Sequence, residues 1–452
     1  MPNKPGQKSF HIYSCGCKTN QCESDEILCR LAEKGYFPVE LAARPDIIII
    51  NTCTVTSAAA KKVRQYLRKS RASNPCSKII VTGCHAVFNS EELKKLGADL
   101  IIQNDEKGKI PGIIDFQNHR QESGKNSISL PRRQAGVLPQ NINLLPARSR
   151  ALVKIQDGCQ QDCRYCIVPL ARGKYRSAGP DEVISKVNYF TEKNYDEVVF
   201  TGIHIGKYGI DFAGMHKELP ALSLAGLLCK TLENTKVKRI RLSSIEINEI
   251  DNHLIKILQY SGGRIAPHLH IPLQSGSERI LKAMNRHYTC SFFLEMVEKL
   301  KESIPGLVLT TDIIVGFPTE KEDDFNDTLY AVKKADFKKT HVFKYSRRPL
   351  TGAYSMEGQV DEKAKSRRSS IAREITDKMR DLYIGNLTGC RLDVVCEKYD
   401  SISGIASGTS ENYVRVYFNI GREDFSKNKC RIIGVRAQKK YRDGLYGLYL
   451  KA

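Results

Sequence analysis

Cys159, Cys163 and Cys166, in the string CQQDCRYC, set three thiols at a C-x3-C-x2-C spacing directly after the strand-like run ALVKIQ. The spacing is too tight and too loop-like for a structural core. A cubane iron–sulfur cluster normally takes four cysteine ligands, so a three-cysteine loop leaves one iron open to an outside molecule. Zinc is the competing metal, but zinc ribbons supply paired CxxC units or added histidines at regular spacing, and neither accompanies this loop. A second set is spread along the N-terminal region: Cys17 after FHIYSCG, Cys53 after DIIIINT and Cys84 after IIVTG each stand where an apolar run ends. Ligands of open α/β sheets bind beyond the carboxyl ends of the strands, so the pattern predicts a three-thiol site assembled from distant segments and a second cluster with one open iron. Taken singly, each of these cysteines also reads as a small buried hydrophobe. Cys15 and Cys22 lie close to Cys17, which is preferred because Gly16 permits a tight backbone approach.

The elements that must position these thiols can be read from apolar periodicity. In the first 115 or so residues, FHIYS, DIIIIN and KIIVTG are short, nearly continuous apolar runs separated by helical stretches, as parallel sheets require. Residues 8–120 are therefore expected to form an α/β domain. From Asp105 to Arg150 apolar density falls and Asn, Gln, Pro, Ser and Arg accumulate, as in SLPRRQAGVLPQN, and residues 121–148 read as a linker. Six further runs follow in residues 149–380: ALVKIQ, EVVFTG, RIRLSS, HLHIPL, VLTTDIIVGF and KKTHVFKYS. Most precede an amphipathic helical segment, which predicts six parallel βα units, an open partial barrel where a complete one has eight. DEKAKSRRSSIAREITDKMRDLYIGN reads as a long basic helix. In residues 383–450 the short alternating strands RLDVVCEKY, YVRVYFN, CRIIGVRAQ and GLYGLYL predict a small β-barrel. The fold class is α/β, with three domains in 452 residues.

Charge and composition narrow the partners. The formal net charge is +21, a field that favours polyanions and makes nucleic acid the leading partner. Basic blocks occur in all three expected domains: KKVRQYLRKSR, RGKYR, KAKSRRSSIAR and AQKKYR. Each alone is the ordinary solvated helix face; together they suggest a track for an RNA backbone. Tyr413 and Tyr417, beside Arg415, mix aromatic and basic groups as small RNA-binding barrels do, although alternate strand positions would also be core. Fifteen cysteines, an odd number, no signal-peptide pattern after MPNKPGQKSF, and no run near the ~18 apolar residues of a membrane helix place the chain in a reducing cytoplasm, with no membrane partner.

Other candidates carry less. Gly202, Gly206 and Lys207 superficially suggest a phosphate loop, but the string is one residue short and Tyr208 stands where Ser or Thr should bind magnesium. Gly202 ends the second barrel strand, where backbone could meet a cofactor or where glycine serves only a tight turn. His268 and His270 alternate on one strand; without a third partner at helpful spacing they read as hydrogen-bonded barrel-interior residues rather than metal ligands. Glu246 and Gln274, at the ends of the third and fourth barrel strands, could read ribose or adenine, or equally cap a helix or satisfy loop backbone.

CQQDCRYC resembles the signature of the radical S-adenosylmethionine superfamily, and the whole chain resembles its methylthiotransferases: GCKTNQ with Cys17, NTCTVT with Cys53, TGCHA with Cys84, CQQDCRYCIVPLARGKYRS, TGIHIGKYG, RLSSIE, HLHIPLQSGS, TTDIIVGFPTE and a C-terminal barrel similar to the TRAM module. TGIHIGKYG, RLSSIE and YVRVYF are most similar to the branch acting on N6-threonylcarbamoyladenosine in tRNA. The resemblance implies two 4Fe-4S clusters, held by Cys159, Cys163 and Cys166 and by Cys17, Cys53 and Cys84, with S-adenosylmethionine bound at one open iron; Gly202, Glu246 and Gln274 are the strand-end candidates to contact it. It implies radical insertion of sulfur at adenine C2, methylation by a second S-adenosylmethionine, the tRNA anticodon stem-loop as partner, and a reducing protein such as flavodoxin or ferredoxin. Alternatives are methylthiolation of isopentenyladenosine or of a ribosomal-protein aspartate and, from another class, a non-catalytic iron–sulfur RNA-binding sensor.

Overall fold

The computed structural model describes residues 8–54, 57–115, 148–214 and 222–451. All but the last residue of the expected linker 121–148 lie outside them. The chain divides into two compact units: one holds the N-terminal region with Asp157–Gln160 and Ile167–Lys174, the other Arg148–Gln156, Gln161–Cys166 and everything from Tyr175.

In the first unit, among the described residues, five parallel strands lie in the order β2-β1-β3-β4-β5, with β1 Ser9–Ser14, β2 Phe37–Pro38, β3 Ile47–Thr52, β4 Lys78–Gly83 and β5 Leu100–Ile102. Strand β3 is buried at every position, which explains its unbroken apolar run. Ile47 and Ile49 face the helix Lys18–Glu33 through Ile27 and Leu31. Ile48 and Ile50 face the helix Ser57–Ser73 through Val63 and Leu67. With both faces covered, every residue of the central strand must be apolar until the strand ends, and polar chemistry is confined to that end.

The second unit carries the six expected parallel strands: β6 Ala151–Lys154, β7 Glu197–Thr201, β8 Arg239–Leu242, β9 His268–His270, β10 Val308–Val315 and β11 Lys339–Lys344. They pair in sequence order as two triplets, and parallel bridges from Ile240 to Ile265 and from Ser244 to His270 join β8 to the β9 segment. The intervening helices start where their sequences provide caps: Ser223, Asp251 and Thr289 each accept a hydrogen bond from a first-turn backbone N–H. Asp361 does the same for the long helix Glu362–Asn386.

A closed C-terminal barrel follows in the order β12-β13-β14-β16-β15, with β12 Arg391–Tyr399, β13 Ile405–Ser410, β14 Arg415–Asn419, β15 Ile432–Tyr441 and β16 Gly444–Leu450. Strand β13, IASGTS, has no strand-like apolar alternation and was not expected. Its small residues are required because a Cβ on Gly408 would stand 1.9 Å from the Val395 carbonyl oxygen.

Below the partial barrel, Glu197 is fully buried between Arg239 (2.5 Å) and Arg241 (2.8 Å). Burial would raise its carboxyl pKa, but Arg241, Arg239 and Arg150 overcome it and hold it at about 2. The same arginines donate to the carbonyls of Asp393, Ser410 and Glu411, tying the barrel's amino end to the C-terminal barrel. Tyr413 is part of this floor: it stacks on His268 (4.5 Å between ring centroids) and is ringed by Arg150, Arg241 and Lys339. Tyr413 is half-buried there, its ring engaged in these contacts within the unit while it also lines a pocket with Lys338, Arg380 and Arg415. Tyr417 instead lies on the outside with Tyr441 and Arg442, donating to Asp443.

Candidate functional site

Three of the predicted cysteines follow directly on neighbouring strands at the carboxyl edge of the first sheet. Ser14 pairs with Asn51 and Thr52 with Gly83, so the residues just past β1, β3 and β4 stand side by side. Gly16 adopts φ +113°, and a Cβ there would meet Cys53 Cβ at 2.6 Å and Cys53 Sγ at 3.0 Å; the glycine is what lets Cys17 and Cys53 approach. Cys17 is exposed at the start of the helix Lys18–Glu33, whereas Cys53 and Cys84 are buried. Gly83, at φ +99°, passes within van der Waals limits of Thr52 in a place where no side chain fits. Cys15, by contrast, prolongs β1 by donating its N–H to Asn51 O. Cys22 is buried within the helix.

Beneath these thiols lies a polar mesh that sequence reasoning missed. Asn20 Nδ2 donates to the carbonyls of Cys15 (2.8 Å) and Thr52 (2.9 Å), and its Oδ1 accepts from Arg172. Arg172 also meets Glu23 (2.6 Å) and Asp157 (3.0 Å), while Lys107 reaches the other Glu23 oxygen (2.6 Å). Arg172, Glu23 and Lys107 are all buried. Burial alone would ease loss of the Arg172 proton, but Glu23, Asp157 and the thiols of Cys84 and Cys17 outweigh it and hold the pKa well above its ordinary range. Burial pulls Lys107 down despite Glu23. Asn104 Nδ2 lies 3.7 Å from Cys84 Sγ and donates to Ala171 O at 2.7 Å. The available signal was helical spacing: Glu23 shares the buried stripe of Ile27 and Leu31, and a carboxylate on a buried stripe demands a cation.

The central triplet divides between the units, so each part is described alone. Cys159 donates its N–H to Gly173 O, and Gly158 packs so closely on Lys174 that a Cβ would lie 1.8 Å from its carbonyl oxygen. In the second unit, Cys163 and Cys166 form a turn closed by Cys166 N to Cys163 O at 3.0 Å, and Arg164 N donates to Met284 O. Arg286 stands over this turn. Its Nη1 donates to Cys163 Sγ (3.3 Å) and Tyr165 Oη (3.4 Å), and its other amino group pairs with Glu246. Burial pushes the Tyr165 phenol well above its ordinary pKa, leaving it a neutral hydrogen-bonding group. Nothing in the string MNRHYT marked Arg286.

Glu246, just past β8, is therefore engaged with Arg286 and partly exposed. Gln274 takes φ +61° and inserts its peptide between strands, donating N–H to Asp312 O while its carbonyl accepts from Ile314. A Cβ on Gly202 would lie 2.8 Å from Gln156 O and from Ile205 Cγ2, so close packing alone requires glycine there. His268 and His270 do bond within the barrel, both to Thr310 Oγ1 (3.1 and 3.0 Å), but His270 alone is joined by two further groups, Asp312 and His341.

Residues 153–330 match the Radical SAM superfamily model, and residues 9–103 match the model of Uncharacterized protein family UPF0004. The chain is 36% identical over 442 residues to the threonylcarbamoyladenosine tRNA methylthiotransferase MtaB of Bacillus subtilis, covering 97% of this chain and 96% of that one. The chain belongs to the tRNA methylthiotransferase family. Another member, the tRNA-2-methylthio-N(6)-dimethylallyladenosine synthase of Thermodesulfovibrio yellowstonii, is 31% identical and covers 97% and 98% of the two chains. The methylthiotransferase fold also resembles the solved radical S-adenosylmethionine methyltransferase TsrM of Kitasatospora setae, with a TM-score of 0.56 at 12% identity over 77% of each chain. Among the described residues no helix is long and apolar enough to cross a membrane.

Proposed function

We propose that this methylthiotransferase acts on N6-threonylcarbamoyladenosine in the anticodon loop of tRNA, replacing hydrogen at adenine C2 by a methylthio group. The assembly of Cys17, Cys53 and Cys84 at one sheet edge carries the reading, because a binding protein using only the central triplet has no need of a second converging thiol set. Two 4Fe-4S clusters and S-adenosylmethionine supply the radical and sulfur-transfer chemistry when bound.

The donor sets fit them. Three thiolates at the first site carry negative charge, and Arg172 and Lys107 offset it from beneath, while Glu23 fixes both cations in place. Arg286 does the same for Cys163 while pairing with Glu246 just past β8; Gln274 and the backbone at Gly202, which follow other strands of the same barrel, are the further candidates to contact the cofactor. Cys159, Cys163 and Cys166 hold the cluster at which S-adenosylmethionine binds; Cys17, Cys53 and Cys84 hold the one that supplies sulfur. Electrons come from a small reducing protein of the flavodoxin or ferredoxin kind, and the work is cytoplasmic.

The test is anaerobic reconstitution, with about eight irons per chain expected for two cubanes, followed by mass spectrometry of nucleosides from a threonylcarbamoylated anticodon stem-loop. A 2-methylthio product supports the reading. Product only on isopentenyladenosine RNA or on a ribosomal protein transfers the substrate to those alternatives, and failure of the reduced, reconstituted protein to cleave S-adenosylmethionine leaves the non-catalytic sensor.

A further inference from the structure

The inner wall of the partial barrel is polar where such barrels are ordinarily filled with layers of branched apolar side chains. Alternation along β9, β10 and β11 sends Leu269, Leu309, Ile313 and Val342 into the buried core. The opposite face holds His268, His270, Thr310, Asp312, Lys339 and His341. Near the amino end this face is consumed by the floor, where His268 stacks on Tyr413 and Lys339 lies over the same ring.

Higher up, His270 Nε2 meets Asp312 Oδ1 at 3.2 Å, and ligand atoms of His270, Asp312 and His341 all lie within 4.8 Å of one another. None of the three is fully buried. The bridge from Ser244 to His270 places the trio at the carboxyl end of β8. His341 lies on β11, the last strand of its sheet, with Phe343 next on the same face and 40% exposed.

Two histidines and a carboxylate could suit a metal. His270 argues against it, because Thr310 occupies Nδ1 and Asp312 occupies Nε2, so neither ring nitrogen is spare. The arrangement instead orients Asp312 as an acceptor beside a second imidazole, a mixed donor and acceptor set at the entrance of a lumen.

We propose that Asp312 and His341 read the N6 substituent of the substrate base, Asp312 accepting from ureido N–H and His341 meeting the carboxylate, with His270 as the residue that positions Asp312. This rests on the threonylcarbamoyladenosine reading and deepens it. A dimethylallyl group offers these side chains nothing, and burying them against it would leave polar groups unpaired, a loss that a site built for hydrogen bonding does not recover elsewhere.

The experiment compares Asp312→Asn and His341→Leu with the unsubstituted enzyme, all reconstituted. The readout is the ratio of kcat/KM for three anticodon stem-loops: one carrying threonylcarbamoyladenosine, one with its carboxylate converted to a carboxamide, and one carrying isopentenyladenosine. A ratio cancels any loss of folded or loaded protein. The unsubstituted enzyme should prefer the carboxylate over the carboxamide, and His341→Leu should erase about tenfold of that preference. Asp312→Asn should lower the preference for the threonylcarbamoyl over the isopentenyl RNA by a similar factor. Ratios unmoved in both variants, with the unsubstituted enzyme active on threonylcarbamoyladenosine, overturn this inference alone. An unsubstituted enzyme that modifies only isopentenyladenosine overturns it together with the proposed function.

Discussion

The two cysteine sets reach a similar ligand count by opposite routes. Cys159, Cys163 and Cys166 occupy eight consecutive residues, and Arg286 braces the turn that carries Cys163 and Cys166. Cys17, Cys53 and Cys84 come from the ends of three strands that pair side by side, with Gly16 and Gly83 permitting the approach. The first set is a property of local sequence; the second exists only when the sheet is folded. Their electrostatic support differs in kind as well. Arg286 touches a cysteine sulfur directly and shares one carboxylate partner, Glu246, whereas Arg172 sits in a buried network with Glu23, Asp157 and Lys107 that is itself part of the fold. Damage to the second set should therefore be structural first and chemical second.

The largest effects come from removing thiols. Cys163→Ala and Cys53→Ala should each lower iron from about eight to about four per chain, because each leaves one cubane without its ligand set. They should differ in product: Cys163→Ala abolishes reductive cleavage of S-adenosylmethionine, whereas Cys53→Ala still yields 5′-deoxyadenosine but no methylthio nucleoside. Loss of both iron sets from either variant would erase the distinction between the sites.

Where the two routes differ, so does what a reader of the sequence can see. The strand ends that carry Cys17, Cys53 and Cys84 were legible because each follows an apolar run, and so were the parallel strands of both units, whose unbroken apolar runs follow from burial on both faces. The supports were less visible. Arg286 and Cys163 are brought together by the fold across more than a hundred residues, and Arg172 meets Glu23 likewise; no local pattern encodes such a pair. Strand β13 escaped notice because its packing selects small residues over apolar ones. Tyr413 stood between two readings because an aromatic beside an arginine reads the same whether it faces RNA or packs inside the unit.

Arg172→Met tests the claim that the cation at the sheet-edge site is structural. Removing it leaves the buried Glu23 with Lys107 alone and the half-buried Asp157 without this partner, which should cost about 3–5 kcal/mol. By thermal denaturation of the cluster-free full chain, the expected drop for a unit of this size is about 10 °C. A melting profile unchanged from the parent would mean that Lys107 alone satisfies Glu23.

Arg286→Lys is the matching change at the central loop. Lysine keeps the charge but cannot span Cys163, Tyr165 and Glu246 with one planar fork. The predicted result is a roughly 10- to 100-fold slower cleavage of S-adenosylmethionine, as for other residues that orient metal ligands. Melting should fall less than in Arg172→Met. A larger loss of stability here than there would reverse the comparison.

The smallest predicted effect separates a hydrogen bond to sulfur from one to backbone. Asn104 lies 3.7 Å from Cys84 Sγ and donates to Ala171 O. A donor near a ligating sulfur stabilises the more negative, reduced cluster, so its removal lowers the reduction potential. At about 1 kcal/mol for one hydrogen bond, Asn104→Leu should shift the cluster of the sheet-edge site by some tens of millivolts downward, on the scale of 59 mV for a tenfold change in a one-electron equilibrium. Potentiometric titration followed by electron paramagnetic resonance reads both clusters in one sample, so the central cluster serves as the internal reference. A downward shift confined to one signal supports Asn104 as a donor to the sulfur. No shift, accompanied by reduced stability, would assign Asn104 to holding the Ala171 carbonyl instead.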